Sequence, residues 1–414
     1  MTQRYDTYKD SGVQWLGEIP GHWECVPLKR ICEMKSGNNL TSLDILDAGD
    51  FPVYGANGFR GYYNQFNKEG KYILIGRQGA LAGNVHLVDG KFWATDHAIV
   101  VTLTSHKVYV DYMSLALISM NLNQYAFDTA AQPGLAVSKI IPISAPLPPL
   151  SEQRSIVSFL DAKCGMIDEW VTKKQKEVEH LQELKQRVIA DAVTRGLNPH
   201  VKMKATNIPW IKEIPEHWER NKVLRLFKQI GSGTTPSSGD ASLYADEGTP
   251  WLQSGDFNNN EINSTSKFLT DKALDNYSLK LYNSGGVVIA MYGASIGKVG
   301  LLNIATTVNQ ACCVLSDSDH LLQKFSFYVF INEKDNLVKK SKGGTQPNIS
   351  QEIIKSHYIP VPPLSEQRSI VSYLDAKCSK IDKLIANITK EIECIKEYKQ
   401  RLISDVVTGQ IKVC

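Results

Sequence analysis

One eleven-residue segment occurs twice in this chain, and this repeat constrains the possible folds more than any other feature. The segment PPLSEQRSIVS stands at 148–158 and again at 362–372, and LDAKC follows each copy, at 160–164 and 374–378. The copies are 214 positions apart in a chain of 414 residues. A repeat of about half the chain length predicts two equivalent structural halves. Each half is predicted to contain a long helix that starts near this segment.

A second repeat precedes each half of the chain. The segment WLGEIPGHW at 15–23 returns as WIKEIPEHW at 210–218. The order is therefore a short lead, a variable domain and a long helix, followed by the same three parts. His22 and His217 lie in the leads without a Cys, an Asp or a second His at the spacing of a metal site. We interpret both leads as packed clusters of Trp, His and Pro rather than as catalytic or metal sites.

The repeats predict four regions and an antiparallel arrangement of the two helices. The regions are a lead with a first globular domain (1–147), a central helical segment (148–197), a second lead with a second globular domain (198–361) and a C-terminal helical segment (362–414). Only 15 residues (195–209) join the first helix to the second lead. The second domain is therefore expected to begin near the far end of the first helix, and the second helix is expected to run back.

The two variable regions show the same plan with different sequences. Short runs rich in β-branched or aromatic residues predict strands. These runs are FPVY, KYILIG, NVHLV and AIVVTL in the first region and GVVIAM and ACCVL in the second. Longer apolar patterns predict a helix over 108–124 and another over 321–337. The domains are therefore expected to share a scaffold and to differ in their loops, where specificity lies.

The helical segments carry start signals and apolar seams. Proline-rich segments (PLPPL and PVPPL) precede them, and Ser151 is predicted to be a helix N-cap. Gly165 is predicted to separate a short helix from a long one. Apolar residues then follow at alternating spacings of three and four, which is typical of a coiled coil. The predicted seam positions are Ile167, Trp170, Val171, Val178, Leu181, Leu184 and Val188 in the first helix and Ile381, Leu384, Ile388, Ile392, Ile395, Tyr398 and Leu402 in the second.

The predicted fold class is mixed, α/β (α+β). Two globular domains in a pseudo-two-fold arrangement are expected to be separated by an antiparallel coiled coil of two long helices. No secretory signal and no apolar stretch of membrane-spanning length is visible, so a cytoplasmic protein with reduced cysteines is expected. The formal net charge of +3 permits a nucleic-acid partner without requiring one.

The signatures of common enzyme classes are missing from the sequence. GASIGKVG at 293–300 has three residues between its glycines, and Val299 follows Lys298, whereas a phosphate-binding P-loop needs four residues and then Ser or Thr. A tight strand–turn–strand is the favoured interpretation. No HExxH motif and no nuclease-type carboxylate–lysine cluster occurs. Asp161 and Lys163 form a DxK pattern that we interpret as a solvated pair on a helix.

The repeated segments resemble a known family. The duplicated PPLSEQRSIVS with LDAK, the EIPxHW leads, GASIGKV at 293–299 and TQPNIS at 345–350 are similar to the specificity subunit of Type I restriction–modification enzymes. The resemblance covers essentially the whole chain. The first domain departs from it, with RQGALAGNV and AQPGLAVSK in place of RGASIGKV and TQPNIS.

The resemblance implies a non-catalytic DNA-recognition subunit in which each domain reads half of a bipartite double-stranded DNA site. It implies that the helices set the spacer and bind two methyltransferase subunits, with restriction–translocase subunits completing the complex in a prokaryotic cytoplasm. It also implies that this chain binds no cofactor. S-adenosylmethionine would be held by the methyltransferase, and ATP and Mg²⁺ by the restriction subunit.

Candidate DNA contacts are loop residues able to bind phosphates or base edges. They are Asn38, Asn39, Asn57, Arg60, Arg77 and Gln78 in the first domain and Thr234, Thr235, Gln253, Ser254, Tyr292, Lys298 and Lys342 in the second. Candidate docking and spacer residues come from the duplicated segment. They are Ser151, Glu152, Gln153 and Arg154 and their repeats Ser365, Glu366, Gln367 and Arg368. The alternatives are a stand-alone nuclease or methyltransferase, and a coiled-coil scaffold or DNA-binding adaptor of another methyltransferase or nuclease system.

Overall fold

The computed structural model describes residues 4–79, 81–129, 132–277, 279–341 and 347–413. These residues form two compact units. The first contains the chain up to Gln175 and again from Thr389, and the second runs from Lys176 to Ile388. Each unit has a domain of strands and short helices together with one part of each long helix. The predicted mixed α/β class is confirmed.

The first domain is built from two small sheets. One has the order Cys32–Ser36, Ala98–Leu103, Tyr72–Gly76, Val85–Val88, and its neighbours are antiparallel. The other has the order Gly58–Tyr63, Phe51–Gly55, Lys91–Ala94, Lys68–Glu69, and its middle pair is parallel. The remaining elements are the strands Tyr8–Asp10, Glu18–Pro20, Glu24–Pro27, Phe127–Thr129, Gln132–Gly134 and Ser144–Leu147, the helices Val110–Ser119 and Val137–Ile140, and the 3₁₀ turns Leu28–Arg30 and Leu122–Tyr125.

The second domain repeats this plan. Its larger sheet has the order Gln229–Ser232, Cys312–Ser316, Val287–Ala290, Val299–Leu302, Asn260–Ile262. Its smaller sheet has the order Tyr244–Ala245, Lys267–Leu269, Thr249–Leu252, Thr307–Val308, and the last pair is again parallel. The remaining elements are the strands Met203–Ile208, Ile211–Pro215, Glu219–Lys222 and Tyr358–Val361, the helices Val223–Leu226, Asp271–Asn276, Gln323–Lys339 and Gln351–Ser356, and the 3₁₀ turns Ala241–Leu243 and Gly293–Ser295.

Both faces of each larger sheet are buried, which explains why the central strands are continuously apolar. Side chains alternate between the two faces of a strand. Ile73 and Ile75 pack in one cluster with the domain helix, whereas Leu74 packs in a second cluster with Phe92 and Ala94 of the smaller sheet. Val287 and Val288 are divided between two clusters in the same way. The predicted strands and domain helices are confirmed, with bounds that differ by a few residues at some ends.

Each long helix is continuous, and this corrects two predictions. The helices run over Leu150–Arg195 and Leu364–Val407. Gly165 lies inside the first helix and does not break it, because the following turns continue the helical hydrogen bonding. Ser151 lies in the first turn and not before it, so it is not the N-cap. None of the helices in the described ranges is long and apolar enough to cross a membrane.

A regular seam runs along each long helix, and it differs in part from the predicted one. Buried and half-buried positions alternate at spacings of three and four, as in coiled coils. They are Cys164, Ile167, Val171, Lys174, Val178, Leu181, Lys185 and Val188 in the first helix and Cys378, Ile381, Ile385, Ile388, Ile392, Ile395, Lys399 and Leu402 in the second. Leu184, Leu384 and Tyr398 were predicted seam positions, but they are exposed beside it.

The two long helices run antiparallel within each unit. In the first unit, Lys399 Nζ lies 2.7 Å from Asp168 Oδ1, and Leu402 packs in the cluster that contains Leu160. In the second unit, Lys185 Nζ lies 2.6 Å from Asp382 Oδ1. The second pair is the first shifted by the repeat of 214 positions, with the helices exchanged. The seam lysines Lys185 and Lys399 therefore each form an ion pair with an aspartate of the opposite helix.

Each lead is hydrogen-bonded to the start of a long helix. The predicted packed clusters are therefore confirmed. Trp23 is fully buried, and its indole N–H donates to Glu152 Oε2 at 2.9 Å. His22 Nε2 lies 3.0 Å from the same oxygen. In the second half, Trp218 donates to Glu366 Oε2 at 2.9 Å. The glutamate of the duplicated segment therefore receives hydrogen bonds from the duplicated lead.

Candidate nucleic-acid interface

Several loops of the first domain meet at one edge of its sheets. Strand register brings them there: Gly76 pairs with Ala98, and Asn38 forms a bridge with Thr95. Thr95 N–H donates to the carbonyl of Tyr54 at 2.9 Å, which adds the end of the Phe51–Gly55 strand. The loops that follow three strands therefore converge. Asn38, Asn57 and Arg77 each lie on one of them.

Polar side chains of these loops form a connected cluster. Arg77 Nη1 donates to Ser36 Oγ at 3.1 Å, and Asn67 Nδ2 donates to Asn38 Oδ1 at 3.0 Å. His97 Nδ1 lies 2.8 Å from Gln78 Oε1. The structure therefore brings together three of the predicted contacts. Asn67 and His97 were missed, although strand pairing next to Arg77 would have pointed to His97.

A glycine permits the close approach at this edge. A Cβ on Gly37 would lie 2.3 Å from the carbonyl oxygen of Ala94 and 2.5 Å from that of Thr95. Gly233 occupies the equivalent place in the second domain, where a Cβ would meet the backbone of Val308. Only glycine fits where two backbones cross so closely. The Ser–Gly pairs at 36–37 and 232–233 therefore mark equivalent ends of strands.

The same edge of the second domain carries a different set of side chains. Thr234 and Thr235 follow Gln229–Ser232, and Gln253 and Ser254 follow Thr249–Leu252. The Thr235 hydroxyl donates to Gln310 Oε1, and the Trp251 indole N–H donates to the Thr234 carbonyl at 3.3 Å. A cleft of about 550 Å³ is lined by Thr235 and Gln253. Gln310 was not predicted from the sequence.

A further segment is held at this edge in both domains. Leu135 N–H donates to the Arg77 carbonyl at 2.8 Å, and Ile349 N–H donates to the Met291 carbonyl at 2.8 Å. Tyr292 forms a bridge with Asn348. Burial, together with the nearby Cys312, raises the pKa of the Tyr292 phenol. Its hydroxyl therefore stays neutral and can both donate and accept hydrogen bonds at physiological pH.

The remaining predicted contacts lie in the same loops or nearby. Asn39, Asn57 and Arg60 are exposed, and the Arg60 stem packs against Gly55. Lys298 is half-buried at the end of the turn that joins two antiparallel strands, so the predicted strand–turn–strand is confirmed. Lys342 lies outside the described residues.

The predicted docking residues divide into exposed and internal ones. Ser151, Arg154, Ser365 and Arg368 are exposed. Gln153 is fully buried: its Oε1 accepts from Tyr109 N–H at 2.8 Å, and its Nε2 donates to the Lys107 and Pro148 carbonyls at 2.9 Å. Gln367 makes the same three kinds of bond with Leu322, His320 and Pro362. Both glutamines therefore have an internal role, and their part in docking a partner stays a prediction.

Comparison with known proteins agrees with this organisation. The family model described as the type I restriction modification DNA specificity domain matches residues 20–180 and 215–394. The chain belongs to this family. The two matches correspond to the two repeats, so this is a type I specificity chain with two recognition domains.

Individual relatives match all or part of the chain. It is 36% identical over 164 residues to the EcoprrI specificity subunit of Escherichia coli, covering 38% of this chain and 40% of that relative. It is 26% identical over 428 residues to a putative MjaX specificity subunit of Methanocaldococcus jannaschii, covering 96% of each. A structure from a study of complex assembly in the type I R-M system has the same fold, with a TM-score of 0.69, 19% identity and coverage of 94% and 98%.

Proposed function

We propose that this type I specificity chain reads a bipartite double-stranded DNA site, with one half-site for each globular domain. One observation carries the proposal: a single scaffold occurs twice, and the same sheet edge presents different polar side chains in each copy. Asn, Gln, Arg and Thr are residues that read base edges, whereas Arg and Lys also position the phosphates. Asn38, Arg77 and Gln78 would serve one half-site, and Thr235, Gln253 and Tyr292 the other.

The helical segments 148–197 and 362–414 are proposed to set the gap between the half-sites. Each long helix is continuous and has an unbroken seam, which gives a stiff element of fixed length. A helix rises about 1.5 Å per residue, so its length converts directly into a DNA distance.

Two methyltransferase subunits are proposed to dock on exposed apolar patches of the long helices. In the first unit, Met166 is 63% and Tyr398 53% exposed, and both line a groove of about 350 Å³ with Trp170. In the second unit, Leu184 and Leu384 are 47% and 51% exposed at the repeat positions of Tyr398 and Trp170. Exposed apolar surface of this kind marks interaction sites. Two equivalent patches fit two copies of one partner.

Catalysis is proposed to reside in the partner subunits. S-adenosylmethionine would be held by the methyltransferases, while ATP and Mg²⁺ would be held by restriction–translocase subunits. The chain itself would act without cofactor or chemistry, in the cytoplasm of a prokaryotic cell. The exposed Ser151, Arg154, Ser365 and Arg368, in the first turns of the two long helices, remain candidate docking residues.

Genome-wide mapping of methylated adenines tests the proposal. Cells that carry this chain with its methyltransferase should show one bipartite motif, and deletion of the chain should remove that motif. Arg77→Ala should alter only the first half of the motif. The matched control is Arg30→Ala, because Arg30 is exposed near the other end of the Cys32–Ser36 strand. A motif that persists after deletion, or that is not bipartite, would contradict the proposal.

A further inference from the structure

An aspartate that the sequence analysis did not select lies in the middle of the first-domain edge. Asp96 immediately precedes His97 and the Ala98–Leu103 strand. Its backbone N–H donates to the Asn38 carbonyl at 3.1 Å, and its carbonyl accepts from Arg77 Nη1 at 3.5 Å. Asp96 is therefore fixed between two of the proposed DNA contacts, on strand ends rather than on a free loop.

The side chain of Asp96 carries an unused acceptor. Its Oδ1 has no hydrogen-bond partner within the part of the chain that the structure describes and is closed to solvent, while Asp96 as a whole is half-buried, so a turn of the carboxyl group would present this oxygen at the surface. The hydroxyl of the neighbouring Thr95 is also buried without a partner there, and Thr95 is fully buried. Buried polar atoms are nearly always hydrogen-bonded, so an orphaned carboxylate oxygen needs an explanation. A carboxylate at a DNA interface is also repelled by the phosphates, and a hydrogen bond from a base would offset that cost.

The equivalent position in the second domain holds a different chemical group. Asp96 lies two residues before Ala98, which pairs with Gly76, and Gln310 lies two residues before Cys312, which pairs with Ala290. Gln310 Oε1 accepts from the Thr235 hydroxyl, so its amide is oriented. One position of the scaffold thus presents an acceptor-only carboxylate in one domain and an amide in the other.

We propose that Asp96 is a specificity-determining residue, whose carboxylate accepts a hydrogen bond from the exocyclic amino group of a cytosine or an adenine in the first half-site. Gln310 occupies the corresponding place for the second half-site. In the major groove only cytosine N4 and adenine N6 present donors, and Asp and Glu recognise the cytosine amine in this way. The inference rests on the proposed function and adds an acceptor-only group, whereas arginine only donates and asparagine both donates and accepts.

The substitution Asp96→Asn tests this role because it keeps the shape and replaces one acceptor by a donor. The complete methyltransferase complex containing each variant is used to select from duplexes in which either half-site is randomised. At one position of the first half-site, Asp96→Asn should reduce a preference for cytosine about tenfold or more, whereas a preference for adenine should rise, because asparagine pairs with adenine N6 and N7. The second half-site should stay as in the unsubstituted complex. The direction of the change tells which amine is read.

Asp89→Asn is the matched control, because Asp89 is exposed and follows the Val85–Val88 strand at the opposite end of the same sheet. Gln310→Ala should change one position of the second half-site and none of the first. An unchanged first half-site with Asp96→Asn overturns the inference, and so does an equal loss of binding to every duplex. Retained selection of the second half-site confirms that the variant is folded. If the unsubstituted complex selects no bipartite site, the proposed function itself fails.

Discussion

At the scale of single residues, two glutamines explain much of the identity between the repeated segments. Gln153 and Gln367 each connect the start of a long helix with the backbone before a domain helix, through three hydrogen bonds. Glu152 and Glu366 accept hydrogen bonds from the indole N–H groups of the lead tryptophans. The residues that are identical in the two copies of the segment therefore reflect internal contacts as well as any shared partner.

Replacing Gln153 by alanine is expected to destabilise the first domain. The change leaves the Tyr109 N–H and two carbonyl groups without their partner, and each buried unpaired group costs about 1–3 kcal/mol. Thermal unfolding and limited proteolysis should show the first domain opening earlier. Ser158→Ala, on an exposed position of the same helix, is the control. Equal melting of both variants would argue against the internal role.

Gly37→Ala is expected to disturb the strand end that carries Asn38. The new methyl group would lie within 2.3 Å of a carbonyl oxygen, and neither backbone can move freely. Overpacking of this kind costs about 1–3 kcal/mol. Chemical denaturation should report the loss, and selection for the first half-site should weaken. A variant as stable as the parent would show that the two backbones can separate.

The sequence predicted Asn38, Arg77 and Gln78 as contacts because they are loop residues of types that bind phosphates or base edges. It missed Asn67, Asp96 and His97. Their position depends on which strand pairs with which, and the register of that pairing is not contained in a local pattern. Internal repetition supplied the equivalent elements, but the partners of each side chain required the folded chain.

At the scale of elements, the long helices show where local signals mislead. Gly165 suggested a break, yet the helix continues through it because the seam on either side keeps one spacing. Trp170, Leu184, Leu384 and Tyr398 suggested seam positions because they are apolar. They lie beside the seam, and two lysines with aspartate partners occupy seam positions instead.

Gly165→Ala is therefore expected to stabilise the chain. No atom lies within 4 Å of the added Cβ, and glycine inside a helix costs about 0.5–1 kcal/mol relative to alanine. The melting temperature of the first unit should rise slightly. A fall would indicate that the helix bends or breaks at this residue in solution. Ala162→Gly, one turn earlier on an exposed position, should have the opposite effect.

The second domain has an additional charged connection to its long helix. Lys324 Nζ lies 2.9 Å from Glu261 Oε1 and 3.0 Å from Asp375 Oδ2, and the Tyr328 hydroxyl donates to Asp375 Oδ1 at 2.7 Å. Asp161, the repeat of Asp375, is exposed. The interpretation of the DxK pattern as a solvated pair therefore needs correction in the second copy only. The second domain therefore has a charged attachment to its helix in addition to the glutamine contacts that both domains share.

At the scale of the whole molecule, residues inserted into both long helices should lengthen the gap between the two half-sites. One heptad added to each helix, within 170–190 and 384–404, keeps the seam and adds about 10 Å, or about three base pairs. Methylation mapping should find the same half-sites with a longer gap. Insertion of four residues breaks the seam and should abolish modification. An unaltered gap after the heptad insertion would contradict the spacer role.

The last residues of the chain belong to the first domain's core. Leu402, Val406 and Val407 pack with Trp23 and Tyr112, and the Tyr8 hydroxyl donates to the Gly409 carbonyl at 2.8 Å. The second unit, in contrast, is one continuous stretch from Lys176 to Ile388. On the ribosome, the first domain therefore lacks part of its core until Leu402, Val406 and Val407 are synthesised, after the whole second unit. A stop codon between those of Ile388 and Leu402 would damage the first domain, although most of that domain is encoded far upstream.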